Sequence, residues 1–163
     1  MIEIVDTYFP GIIGKITQLH GDYYSKEWNF GLYFEAKVAT ELSEFLNRFD
    51  KNRDGIWTAH SNGKFVGSII IDGINSEEEG ARLRWFILDP NFQGRGIGTL
   101  LMEKAIIFCK EKGYSRVYLW TFAGLDAARR LYEKFGFSIC KEHEDNQWGK
   151  IVSEQMFELI LDK

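Results

Sequence analysis

The chain has 163 residues, 45% hydrophobic and 27% charged, which suits one ordinary globular domain over 1–163. A domain of that size buries roughly 70% of its unfolded surface and needs no disulfide or metal staple. The net charge of −4 argues against a protein built to grip a polyanion, so no nucleic-acid partner is expected.

The start, Met1-Ile2-Glu3-Ile4-Val5-Asp6, places acids where a secretory signal needs a basic segment. No apolar run nears the ~18 residues of a membrane span. A cytoplasmic protein with no membrane partner is expected. Cys109 and Cys140 form neither a CxxC pair nor a Cys/His metal spacing, and they read as two reduced thiols. No metal is expected.

In chain order, Ile2 to Tyr8 alternates apolar and acidic residues like an edge strand, and Pro10-Gly11 ends it. A helix from Gly11 to about Tyr23 carries Ile12, Ile16 and Leu19 on one face. The aromatic, Gly-containing stretch Tyr23 to Leu32 reads as a loop. A second helix shows Val38, Leu42, Phe45, Leu46 and Phe49 at helical spacing. Ile56–His60 and Phe65–Asp72 are β-rich runs joined by Ser61-Asn62-Gly63-Lys64, a hairpin signal. Glu77-Glu78-Glu79-Gly80 reads as a solvated turn rather than a metal site.

Ala81–Leu88 is a further strand, closed by Asp89-Pro90. The glycine-rich run Gln93–Gly98 leads into a helix with Ile97, Leu100, Leu101, Ala105 and Phe108 on its apolar face, stopped by Gly113. Val117–Thr121 is a strand. A short helix bears Ala128, Leu131, Tyr132 and Phe135 and is closed by Gly136. Phe137–Glu142 and Glu154–Leu161 form two last strands. This order predicts an α/β fold with a mixed sheet of about seven strands flanked by four helices.

The turn Gln93-Gly94-Arg95-Gly96-Ile97-Gly98 is the first motif with chemistry in it. Glycines admit positive φ and let a ligand approach the backbone. The helix behind them exposes unpaired N–H groups and a positive dipole end, which together suit a pyrophosphate. A tight turn without a ligand would look similar. A Walker loop is absent, because no Gly-Lys precedes a Ser or Thr. A Rossmann turn is also a poor fit, since Thr99 stands at its last glycine position and the next strand ends in Trp120-Thr121.

Phe86-Ile87-Leu88-Asp89-Pro90 followed by Gln93–Gly98 resembles the acetyl-CoA motif of the GNAT superfamily of N-acetyltransferases. Leu131-Tyr132-Glu133-Lys134-Phe135-Gly136-Phe137 is similar to that family's late helix and turn. Further stretches resemble the acetyltransferase half of bacterial regulators that fuse a winged-helix domain to a GNAT domain. These are Leu19–Gly21 through Phe34–Ala36, Leu83-Arg84, Leu119–Thr121, Ala127–Arg130, and Trp148–Lys150 to Glu158-Leu159. The winged-helix half has no counterpart in these 163 residues.

The resemblance implies that acetyl-CoA lies between two splayed parallel strands. Phe86, Ile87 and Leu88 would bond the pantetheine arm, and Gln93, Gly94, Arg95, Gly96, Ile97, Gly98 and Thr99 would hold the pyrophosphate. Tyr132 matches the tyrosine that protonates the departing sulfur; by periodicity alone it reads as a core residue. The family often carries Asn seven residues before that tyrosine, and Leu125 stands there instead. Glu35 is the first candidate for the base, with a plain helix-start glutamate as its other reading. His20 is the alternative base. His20, Tyr24, Glu27, Trp28 and Arg84 are candidates for the acceptor pocket, and Trp148, His143 and Asn146 for its closure.

The function expected from this resemblance is acetyl transfer to the primary amine of a small molecule. A protein N-acetyltransferase and a non-catalytic acetyl-CoA-binding regulator remain as alternatives, and a homodimer is compatible with any of them.

Overall fold

A computed structural model of the chain describes residues 1–146 and 150–161. The elements run β1 (Ile2–Val5), α1 (Ile12–Trp28), α2 (Leu32–Asn47), β2 (Gly55–Ser61), β3 (Lys64–Asp72), β4 (Ala81–Leu88), α3 (Ile97–Glu111), β5 (Arg116–Phe122), α4 (Asp126–Lys134), β6 (Ser138–Asp145) and β7 (Val152–Ile160). One seven-stranded sheet has the order β1-β2-β3-β4-β5-β7-β6. Only β4 and β5 pair in parallel among the described strands; the other pairs are antiparallel. This is the mixed α/β architecture expected, with seven strands and four helices.

The helices cover both faces because strand residues alternate sides. On β3, Ile69 and Ile71 pack with Leu101, Met102 and Ala105 of α3. Their neighbour Ile70 packs the other way, with Ile12 and Ile16 of α1 and Leu42 and Phe45 of α2. Asn62 and Gly63 sit at positive φ in the β2–β3 turn, as an Asn-Gly hairpin requires. Among the described residues no helix is long and apolar enough to cross a membrane. Cys109 is buried and Cys140 exposed, and both are free thiols.

One expectation is corrected. The segment read as a loop from Tyr23 continues α1 to Trp28, where Asn29 turns left-handed and its N–H bonds the Tyr24 carbonyl. The reason is tertiary. Tyr24 and Trp28, one helical turn apart, pack with Phe30, Phe34 and Phe122 of later elements. That aromatic cluster outweighs the weak helix propensity of the segment.

Candidate active site

The site begins where the sheet stops pairing. Hydrogen-bonded register between β4 and β5 is confined to Ala81↔Val117 and Arg82↔Tyr118. Beyond it β4 runs on to Leu88 and β5 to Phe122, so the strands diverge toward their carboxyl ends and leave facing edges without partners.

A bulge bends β4 inside this opening. Ser68↔Ile87 and Ile70↔Arg84 are paired, so Trp85 and Phe86 together face the single residue Ile69. Trp85 sits at φ 47°, a left-handed conformation that a bulky residue holds only under constraint. One constraint is visible: the Ser68 hydroxyl donates to the Trp85 carbonyl at 2.8 Å.

The opening is a cleft of about 480 Å³. One wall comes from β4, a second from β5 and α4, and the roof from α1 and α2. At its wide end lies the glycine turn. Gly94 and Gly96 have φ of 79° and 80°, and a Cβ built on either meets open space. Gly96 begins α3 with no side-chain cap, and the first intrahelical bond runs from Leu100 N–H to its carbonyl. The N–H groups of Ile97, Gly98 and Thr99 therefore stand before the ladder begins. A cradle of backbone donors with clear space in front of it fits the diphosphate of acetyl-CoA.

Tyr132 lines the cleft from α4, 5% exposed, and its ring lies among Phe86, Phe137 and Phe157. Burial raises its phenol pKa, and the Thr121 hydroxyl beside it opposes the rise only in part. Tyr24 faces the same space from α1. Burial raises its pKa as well, and the nearness of Tyr132 adds to the effect. Both phenols thus remain protonated at neutral pH. His20, one turn before Tyr24, is 6% exposed, and burial lowers its pKa to about 4.

A chain of charges crosses the roof into β4. Lys37 Nζ bonds Glu41 at 2.6 Å, and Glu41 bonds Arg84 at 2.9 Å. Arg84 reaches Asp72 at 3.1 Å, and Asp72 accepts both arms of Arg48 at 3.0 and 2.7 Å. Lys37, Glu41, Arg82 and Arg84 all line the cleft.

The structure sorts the candidates from the sequence. Phe86, Ile87, Leu88, Gln93, Gly94, Gly96, Ile97, Gly98, Thr99, Tyr132, His20, Tyr24, Arg84 and Leu125 all line the cleft. Arg95 instead lies over the Phe92 ring at 5.0 Å, with Phe92 on the short 3-10 turn before it. Glu27 does not line the cleft, and Trp28 packs into the aromatic cluster beneath it. Glu35 lies outside as well. It is exposed in the first turn of α2, with its carboxylate against Gly21 of α1. The helical phase decides this, because Phe34 and Val38 take the inward face and leave Glu35 outside it. Glu41 and Asp72 occupy Arg84. His143 stacks edge-on against Trp120, which lines the cleft, at 5.2 Å. Trp148 lies outside the described residues.

Tyr23, Lys37, Glu41 and Arg82 line the cleft without having been singled out from the sequence. A signal for Arg82 existed: two residues before Arg84 in a strand, it shares that residue's face. Away from the cleft, His143, Asp145 and Glu154 bring ligand-type atoms within 4.8 Å of one another. Two of them, His143 Nε2 and an Asp145 carboxylate oxygen, lie 3.5 Å apart.

The site thus combines a mixed sheet split between two parallel strands with a glycine-turned helix at the mouth of the split. The chain belongs to the acetyltransferase (GNAT) family, whose model matches residues 13–137. It is 33% identical over 119 residues to an uncharacterized N-acetyltransferase of Methanocaldococcus jannaschii, covering 71% of this chain and 53% of that protein. It is 33% identical over 116 residues to the N-acetylaspartate synthetase of Xenopus tropicalis, covering 71% of this chain and 42% of that one. The matched region thus spans about half the length of these relatives. An acetyltransferase structure from Salmonella typhimurium, solved with its cofactor acetyl-CoA, shares the fold with a TM-score of 0.75 at 15% identity, covering 99% of this chain and 95% of that one.

Proposed function

We propose that this protein is an N-acetyltransferase that takes its acetyl group from acetyl-CoA and gives it to the primary amine of a small molecule. The observation that carries the reading is the split between β4 and β5, with the uncapped glycine turn at its mouth and Tyr132 inside it. The family membership and the N-acetyltransferase relatives support the reaction class. The small-molecule acceptor is supported by the relative named N-acetylaspartate synthetase.

When bound, acetyl-CoA supplies an electrophilic thioester carbonyl and a thiolate leaving group. The chain's own residues do the rest. Backbone donors of Gly94 to Thr99 hold the diphosphate against the dipole of α3. The unpaired β4 edge at Phe86 to Leu88 offers N–H and C=O groups to the amides of the arm, as an adjoining strand would. Tyr132 holds its proton at neutral pH in a dry site and delivers it to the departing sulfur. His20 is the basic candidate that lines the cleft. Its Nδ1 faces the Ile16 carbonyl, which leaves the neutral Nε2 to accept a hydrogen bond from the amine and orient it, and with the pKa lowered to about 4 the amine proton passes on to water.

The test is CoA release from acetyl-CoA over a panel of small amines and N-terminal peptides, with acetyl-CoA binding measured beside it. Turnover with a small amine, reduced in Tyr132→Phe, supports the reading. Turnover with peptides alone moves the acceptor to protein. Tight acetyl-CoA binding without release from any amine leaves an acetyl-CoA-binding module.

A further inference from the structure

We infer that the acceptor amine carries a carboxylate, and that Arg82 binds it at the narrow end of the cleft. The substrate class is then an amino acid or a related amino-carboxylate. The inference rests on the acetyl-transfer reading for treating this end of the cleft as the acceptor site.

Arg82 stands at the last hydrogen-bonded pair of β4 and β5, Arg82↔Tyr118, just before the strands part. The glycine turn follows the far end of β4. Leu88 lies six steps along the strand from Arg82, roughly 20 Å. The cleft therefore has a diphosphate end and, opposite to it, an arginine end.

The state of Arg82 differs from that of its neighbours. Its Nε is buried, with no hydrogen-bond partner, and no salt bridge reaches its guanidinium among the described residues. Arg84 on the same face is held by Glu41 and Asp72, Glu41 is shared with Lys37, and Asp72 is also held by Arg48. Both carboxylates of the network are thus already engaged. Lys37, Arg48 and Arg84 share Glu41 and Asp72, with Asp54 and Glu44 also acting on Arg48, and none of these acids is paired with Arg82. Asp126, the other acid on the cleft wall, begins α4 beyond the carboxyl end of β5, away from Arg82.

A buried guanidinium donor without an acceptor is costly, and an entering oxyanion removes that cost. The planar fork of arginine matches a carboxylate with two parallel bonds. Arg84 registers the imbalance. Burial first, and then the charge of Arg82, lower its pKa against the pull of Asp72 and Glu41. A carboxylate between the arginines would relieve that repulsion, whereas a polyamine would add positive charge to a cationic pocket.

The experiment measures kcat/KM by CoA release for L-alanine beside L-alaninamide, L-aspartate beside each of its monoamides, and spermidine and tyramine. The proteins are wild type, Arg82→Gln and Arg82→Lys, with melting temperature and acetyl-CoA Kd as controls. The expected result is that replacing one carboxylate by carboxamide lowers wild-type kcat/KM by about 10- to 100-fold. Arg82→Gln should abolish that discrimination through KM while the acetyl-CoA Kd stays unchanged. Arg82→Lys keeps the charge without the fork, and it decides the matter should Arg82→Gln not fold: it should raise KM for the acids and leave the amides unchanged.

Preference for spermidine or tyramine, or an equal loss on acids and amides, overturns the inference and leaves acetyl transfer standing. Should no amine release CoA, the transferase reading falls. Calorimetry of L-aspartate against the CoA complex then decides the inference: binding that is lost in the Arg82 variants upholds it, and no binding ends it.

Discussion

The Nδ1 of His20 lies 2.8 Å from the carbonyl oxygen of Ile16, one turn earlier in α1. The ring stacks on Tyr24 with centroids 6.3 Å apart and has almost no contact with solvent. The bond to Ile16 fixes the proton on Nδ1 in the neutral ring, and burial, the stronger influence, lowers the pKa from 6.5 to about 4. The unfolded chain therefore takes up a proton on this residue before the folded one does. The contribution of neutral His20 to stability is complete above pH 6.5, falls away as pH drops from 6.5 to about 4, and changes no further below that. The loss is on the order of 3 kcal/mol. Urea unfolding of wild type and His20→Gln at pH 7.5 and pH 4.5 checks it: the variant should lose less stability between the two. Equal losses would mean that His20 is not held neutral by the fold.

Gly96 needs its positive φ and faces open space where a ligand backbone cradle is expected. Gly96→Val forces a branched side chain into a left-handed conformation, at roughly 1–2 kcal/mol of stability. It also fills the space in front of the α3 donors. Calorimetry on the folded variant should show acetyl-CoA binding weakened by about 10-fold or more, a factor that corresponds to about 1.4 kcal/mol. Unchanged affinity would remove the turn from the binding site.

Tyr132→Phe deletes one hydroxyl and leaves the ring among Phe86, Phe137 and Phe157. If the hydroxyl protonates the leaving thiolate, kcat falls by about 10²–10⁴-fold, the usual contribution of a general acid. Acetyl-CoA Kd should change little. Retained turnover would make Tyr132 a packing residue, with the sulfur leaving unassisted or through water.

Glu35→Gln is the control for the proton route. Its carboxylate is exposed and touches Gly21 outside the cleft, so kcat/KM should stay within about twofold of wild type. A loss of a hundredfold would return Glu35 to the reaction. His20→Gln, by contrast, should lower kcat while leaving the acetyl-CoA Kd unchanged.

The sequence alone determined the architecture and the glycine turn at the mouth of the cleft. β-rich runs and the 3.6 periodicity are local, so the seven strands and four helices were legible from residues such as Ile69, Ile70 and Ile71 or Val38, Leu42 and Phe45. The glycine turn was legible for the same reason: positive φ and an uncapped helix start are properties of consecutive residues.

The opposite end of the cleft was decided by tertiary packing. Tyr24 and Trp28 lie in a helix because Phe122, about a hundred residues away, packs on them. The phase of α2 leaves Glu35 outside, but only the docking of that helix on β4 sends Glu41 to Arg84. Arg82 and Arg84 looked alike along the strand. Which one is neutralised depends on Glu41 and Asp72, which come from two other elements. Charge pairing is decided by distances in space that the order of residues does not contain.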